Sequence, residues 1–129
     1  MKGYRKEQDE LSVKFDFWKG EIYIKGEAVG EVSRNKLAEL TSELKKYAKF
    51  PNKVTKLHIK LDYFNTSSAT LIFKIMKTLE QMKLKTKSQV FVMWGAEEDD
   101  EDLIEAAVDY QEICPNLNIA LSPIKPKYN

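Results

Sequence analysis

From Ser12 onward apolar and polar positions alternate. Val13, Phe15 and Phe17 are separated by Lys14 and Asp16, and Ile22 and Ile24 alternate with Tyr23 and Lys25. A period of two places alternate side chains on opposite faces of a strand, so both stretches predict β-structure. Trp18-Lys19-Gly20 lies between them as a short turn, which makes the pair a hairpin. Gly26 and Gly30 are expected to bound a loop. The period then lengthens. Leu37, Leu40, Leu44, Tyr47 and Ala48 recur at helical spacing, predicting a helix from about Ser33, as N-cap, to Lys49, with Pro51 as its stop. Strand character returns at Val54–Tyr63 through Leu57, Ile59 and Leu61. A second helix is expected over Ser67–Lys83 with a stripe of Ile72, Ile75, Met76, Leu79 and Met82. Val90-Phe91-Val92-Met93-Trp94 is continuously apolar, as in a strand buried on both faces. A third helix is expected over Asp100–Cys114, carrying Leu103, Ala106, Ala107, Tyr110 and Ile113 and closed by Pro115. Leu117, Ile119 and Leu121 predict a last short strand before Pro123 and Pro126.

The predicted order is β-β-α-β-α-β-α-β. β-α-β units in series call for parallel neighbours joined by right-handed crossovers, and the opening hairpin adds an antiparallel pair. The fold class is therefore α/β: one domain, a mixed sheet of about five strands with three helices. Residues 1–10 are polar and aperiodic and are expected to be a flexible N-terminal tail. The domain is expected to cover 11–123, and 124–129 a C-terminal tail.

Length and composition fit that picture. The chain has 129 residues, 43% of them hydrophobic and 32% charged, so it can bury roughly 65–70% of its unfolded surface around one core. Lys and Arg number 21 against 20 Asp and Glu, a net charge of +1, which argues against nucleic acid as the main partner. The single cysteine, Cys114, excludes a disulfide framework and a multi-cysteine zinc site. The first ten residues contain no apolar core of a secretory signal, and no apolar stretch approaches the roughly 18 residues that span a bilayer. The expectation is a cytoplasmic protein without a membrane partner.

Few residues invite chemistry. One His and five Gly leave little material for a metal hydrolase or a phosphate loop, no nucleophile motif occurs, and no metal or cofactor is implied. His58 has no second His or nearby Cys, so a structural or solvent-facing role is expected. Trp18 and Trp94 read as core or strand-end residues, Met76 and Met82 as core, and Cys114 as a small buried hydrophobe. Asn65-Thr66-Ser67-Ser68 falls where the third strand ends and the second helix begins. One reading is an N-cap, whose side-chain oxygens accept from the free amides of the first turn. The other is a regulated hydroxyl: a phosphate on Thr66 or Ser67 would sit at the positive end of the helix dipole and add about −1.5 to −2 of charge. The two are compatible. Glu97-Glu98-Asp99-Asp100-Glu101-Asp102 reads as a divalent-metal loop, which lacks EF-hand spacing, as a solvated run complementing the third helix, or as a docking surface for a basic partner.

Leu61 to Ala69, with Asn-Thr-Ser-Ser at its centre, resembles the signature of the SiaC family of regulatory phosphoproteins, small bacterial domains similar to STAS domains. Trp94, the acidic run, Glu105, Tyr110 and Glu112 resemble the family's C-terminal half. Phe15-Asp16, Gly20 and Ile22 to Glu27 resemble its opening hairpin. The resemblance spans roughly residues 11 to 122 and implies a non-enzymatic switch. Thr66 would be phosphorylated by a partner serine/threonine kinase and dephosphorylated by a PP2C-type phosphatase, with Asn65, Ser67 and Ser68 shaping the site. The unphosphorylated form would bind and activate a diguanylate cyclase, promoting cyclic-di-GMP synthesis and biofilm formation. Glu31, Glu97, Glu98, Asp99 and Asp100 would serve in partner docking. The chain departs from the family where Ala28-Val29-Gly30-Glu31-Val32 replaces a Ser-Tyr-Pro-Glu-Asn-like stretch, keeping only Glu31, and where Thr70 stands in place of a common Lys. Alternatives are a STAS-type antagonist of an anti-sigma factor and a small metal-dependent hydrolase using the acidic run.

Overall fold

Three crossovers that all step in the same direction dominate the architecture. The computed structural model describes residues 11–125. The elements are β1 (Ser12–Asp16), β2 (Glu21–Ala28), α1 (Glu31–Tyr47), β3 (Val54–Phe64), α2 (Thr66–Lys85), β4 (Gln89–Glu97), α3 (Glu101–Ile113) and β5 (Asn118–Ile124). They form one five-stranded sheet in the order β1-β2-β3-β4-β5. The first pair is antiparallel, and β2 through β5 are parallel. The expected mixed α/β sheet with three helices is therefore present. The expected tail at 1–10 lies outside the described residues, as do residues 126–129 of the C-terminal one.

Strand order explains the distribution of apolar residues. Each β-α-β connection is right-handed by default, and three that advance the same way along the sheet put α1, α2 and α3 on a single face. The burial follows. Ile22, Ile24, Leu57, Ile59, Leu61, Val92 and Trp94 point under the helices and are buried, whereas Tyr23, Lys25 and Phe91 on the opposite face are exposed. This corrects the expectation that the fourth strand is buried on both faces: β4 alternates, with Phe91 exposed and Met93 half-buried. The helices bury the matching stripes, Leu37, Leu40 and Leu44 from α1 and Ile72, Ile75, Met76 and Leu79 from α2. Each such side chain contributes about 1.5–3 kcal/mol.

Other boundaries also differ from expectation. Gly26 does not end a strand. It takes φ +115 inside β2, at a register shift between Gly26 and Glu27 against β3, a bulge that glycine accommodates. Gly30, not Ser33, caps α1. Ser33 is fully buried inside the helix and donates to the Glu27 carbonyl at 3.2 Å. β5 runs through Pro123, which pairs with Ala96, to Ile124, the first residue of the expected tail; an edge strand tolerates the missing N–H. Trp18, expected in the core or at a strand end, instead stands exposed in the β1–β2 turn, which Gly20 closes at φ +67. His58 lies on the open face, half-buried and stacked on Tyr23 at 4.6 Å between ring centroids.

One buried acid ties α2 to the α3–β5 connection. Glu80, 3% exposed, accepts from the Asn116 amide at 2.9 Å, the Asn116 side chain at 3.3 Å and Lys77 Nζ at 3.0 Å. Burial pushes its carboxyl up, but these donors outweigh burial and hold it below the usual carboxylate range. A depressed carboxyl stabilises the fold above its unfolded-state pKa and loses that contribution as pH falls through the folded-state value. Glu80→Ala is therefore expected to cost about 2 kcal/mol near neutral pH, through lost charge-assisted hydrogen bonds. The cost should shrink on acidification. Urea melts of both proteins across the acidic range check this, and a pH-independent difference would contradict it.

Candidate functional site

β3 ends at Phe64, and Asn65 turns the chain into α2. Asn65 holds extended backbone, and its side-chain oxygen accepts from the Ser68 amide at 3.1 Å. Its carbonyl accepts from the Ala69 amide at 2.9 Å. Its Nδ2 donates to the Val29 carbonyl at 3.1 Å, tying the β2–α1 connection to the start of α2. The N-cap reading of this tetrapeptide is thus realised, and by Asn65. Ser68 is fully buried, with no hydrogen-bond partner for its hydroxyl among the described residues. Thr66 and Ser67 are exposed. The cap therefore leaves two hydroxyls accessible and seals the third.

The charge around this helix start is distinctive. α1 carries Glu31 in its first turn and α3 carries Glu101 and Asp102, whereas the first turn of α2 carries no acid. A helix N-terminus favours negative charge, and here that preference is left unmet by side chains.

Thr66 also stands at the mouth of a groove between α2 and α3 with a volume of about 400 Å³. Phe64, Ala69, Phe73, Ala106 and Tyr110 form most of its wall, and Asp109 lies on it as a charged group. The groove keeps its shape through Tyr110, whose hydroxyl donates to the Ala69 carbonyl at 2.9 Å across the helix pair. Burial pushes the Tyr110 phenol well above its ordinary range, so it remains a neutral donor. Beneath it, Trp94 is 1% exposed, packs against Tyr110 and Phe64 at centroid distances of 5.7 and 6.3 Å, and donates Nε1–H to the Leu103 carbonyl at 3.1 Å. The groove walls were not singled out in the sequence. Ala106 is legible there only as a member of a helical stripe, and Tyr110 as a member of that stripe and of the family resemblance.

The parallel strands bring the other sequence candidates to the same end of the sheet. Glu31 opens α1 and is exposed. Glu97 ends β4, Glu98 and Asp99 form an exposed turn, and Asp100 caps α3 by accepting from the Leu103 amide at 3.1 Å. The Glu98 amide donates to the Ile124 carbonyl at 2.9 Å, fixing the run against β5. No group of three or more His, Cys, Asp or Glu among the described residues converges as metal ligands. Cys114 is buried, and desolvation raises its thiol pKa, a setting that disfavours the reactive thiolate.

These features define a class: a small α/β domain with all helices on one face, presenting an accessible hydroxyl at the mouth of an apolar groove. The sequence profile of the SiaC family regulatory phosphoproteins matches residues 4–124, and the chain belongs to that family. Three solved structures share the fold. Apo-SiaC from Pseudomonas aeruginosa is 21% identical, with a TM-score of 0.77 over 89% of this chain and 92% of that one. A second structure of SiaC from Pseudomonas aeruginosa is 20% identical, with a TM-score of 0.78 over 91% and 93%. The third is a crystal structure of the diguanylate cyclase SiaD in complex with its activator SiaC from Pseudomonas aeruginosa, 20% identical, with a TM-score of 0.81 over 91% and 94%. Comparison with curated proteins gives no match.

Proposed function

We propose that this protein is a non-enzymatic switch in which Thr66 accepts a phosphate and the groove beside it docks a partner protein. The observation that carries the proposal is the coincidence at Thr66 of an exposed hydroxyl, an acid-free helix N-terminus and an apolar groove. In the unphosphorylated form the groove is open to an apolar segment of the partner. A serine/threonine kinase transfers a phosphoryl group from ATP to Thr66 Oγ1, releasing ADP, and the hydroxyl proton leaves to a base of the kinase. The new dianion is held by the dipole of α2 and by the amides of Thr66 and Ser67, which the Asn65 cap does not occupy. A partner seated in the groove would then have to desolvate that charge, so binding is lost. A PP2C-type phosphatase restores the open form.

A diguanylate cyclase is the partner we favour, because a cyclase is bound by the protein of matching fold in the complex described above. The reading implies a cytoplasmic protein that regulates cyclic-di-GMP synthesis and biofilm formation. Among the described residues no helix is long and apolar enough to cross a membrane. Treatment with the cognate kinase followed by peptide mass spectrometry tests the acceptor. Phosphate is expected on Thr66 and none on a Thr66→Ala variant, which should melt like the parent because the side chain is exposed. Phosphate found on Ser67 or elsewhere would defeat the assignment.

A further inference from the structure

The end of the molecule opposite Thr66 carries the most exposed aromatic side chains among the described residues. Trp18, in the β1–β2 turn, is 90% exposed, and Phe50, in the α1–β3 connection, is 91% exposed. Phe17 beside Trp18 and Leu84 near the end of α2 are 46% and 56% exposed. Exposed lysines surround them: Lys19, Lys49 and Lys53 on the same two loops, and Lys85 and Lys87 where α2 leads to β4. None of these five belongs to the ion pairs formed between described residues, Lys60–Asp62 and Lys77–Glu80. Two acids, Asp16 and Glu21, share the hairpin at this end and are outnumbered by the lysines. Asp16 accepts from the Lys19 amide, and Glu21 accepts from the Tyr23 hydroxyl. Lys45 and Lys46, in the last turn of α1, add to the same charge.

These loops are firmly based. Asn52 Nδ2 donates to the Trp18 carbonyl at 2.8 Å, and the Asn52 amide donates to the Tyr47 hydroxyl at 3.1 Å. That hydroxyl is 2.9 Å from Thr55 Oγ1, which is 2.9 Å from Ser88 Oγ. The Gln89 amide donates to the Lys53 carbonyl at 2.7 Å, joining the third loop to the second. The net charge of +1 thus conceals a polar molecule. Acids collect at the Thr66 end, and lysines with protruding aromatics collect at the other.

Helix dipoles account for the lysines in the last turns of α1 and α2, but not for those on the loops, nor for two large rings left in water. Here the aromatics stand out from the surface. Rings on firm loop tips within a cationic field suit a flat, deformable, anionic layer, where an amphipathic aromatic sits at headgroup level and lysines meet lipid phosphates. We infer that this end docks the protein on an anionic membrane surface, with Trp18 and Phe50 inserted and Lys19, Lys49, Lys53, Lys85 and Lys87 on the headgroups. The contact is peripheral and leaves the Thr66 end facing away from the lipid.

The test uses the full chain with vesicles of phosphatidylcholine, with and without phosphatidylserine. Co-pelleting is expected only with phosphatidylserine, and it should fall with added salt. Trp18 emission should shift to the blue while Trp94, buried at 1% exposure, serves as a constant background. A Lys49→Gln/Lys53→Gln variant should partition at least about tenfold less, given about 1 kcal/mol per lysine near the surface. A Trp18→Ala/Phe50→Ala variant should lose the blue shift and most of the co-pelleting. Because all four side chains are exposed, both variants should keep the parent's circular dichroism. Two results would overturn the inference. One is no co-pelleting with any vesicle, and capture of a single-stranded oligonucleotide, or self-association that the lysine variant abolishes, would then name the occupant instead. The other is co-pelleting that neither variant reduces.

Discussion

Trp94→Ala is expected to lower stability by about 3–5 kcal/mol, the range for removing a buried aromatic from a packed core. The indole is 1% exposed and meets Phe64 from β3 and Tyr110 from α3, while its N–H satisfies the Leu103 carbonyl. Its removal leaves a cavity and takes from the Leu103 carbonyl a donor additional to the helix's own. Because Trp94 supports both Phe64 and Tyr110, it also supports two walls of the groove. The variant should therefore melt earlier and bind its partner less well even where it remains folded. Chemical denaturation gives the first quantity and calorimetry the second. A loss under 1 kcal/mol, on the scale of surface substitutions, would mean that α3 is held by something other than this cluster.

Ala106→Arg is expected to weaken docking by roughly thirtyfold or more without harming the fold. Ala106 lines the groove from α3 and is half-buried. Arginine is nearly as good a helix former as alanine, and its stem can follow the groove while its charge reaches water. A partner segment would lose the volume that the side chain fills. Losses of 2 kcal/mol or more are typical for residues at the centre of an interface, which corresponds to roughly thirtyfold in Kd. Circular dichroism should be unchanged. Undiminished affinity for the partner would remove the groove from the account and leave Thr66 without a mechanism.

Much of the fold was legible because each element follows a local rule. Alternation at Val13–Phe17 and Ile22–Lys25, the stripe from Ile72 to Met82 and the stops at Pro51 and Pro115 need only neighbouring residues to be read. The errors arose where a longer range decides. Val90 to Trp94 is apolar throughout, yet Phe91 faces water, because all three crossovers advance the same way and leave one face of the sheet bare. That is a property of strand order, which no window of five residues contains. Ser33 looked like a cap because its type is right, but helix α1 starts one turn earlier and needs Ser33 inside.

The candidate site shows the same division. Asn65 and the exposed start of α2 could be read from type and position at a strand–helix junction. The groove could not, since Ala69, Ala106 and Tyr110 come together only when α3 packs beside α2. Nor could the polarity of the molecule. Lys19, Lys53 and Lys87 are far apart in sequence and share an end only through the parallel strands.

The central claim is that a phosphate on Thr66 closes a surface that is otherwise open. Calorimetric titration of the diguanylate cyclase proposed as partner with this protein, prepared once unmodified and once stoichiometrically phosphorylated on Thr66, measures it directly. The account predicts binding by the unmodified protein and an affinity at least about tenfold weaker after phosphorylation, the cost of about 1.4 kcal/mol or more for desolvating the new charge. Equal affinity of the two preparations, or tighter binding by the phosphorylated one, would contradict it.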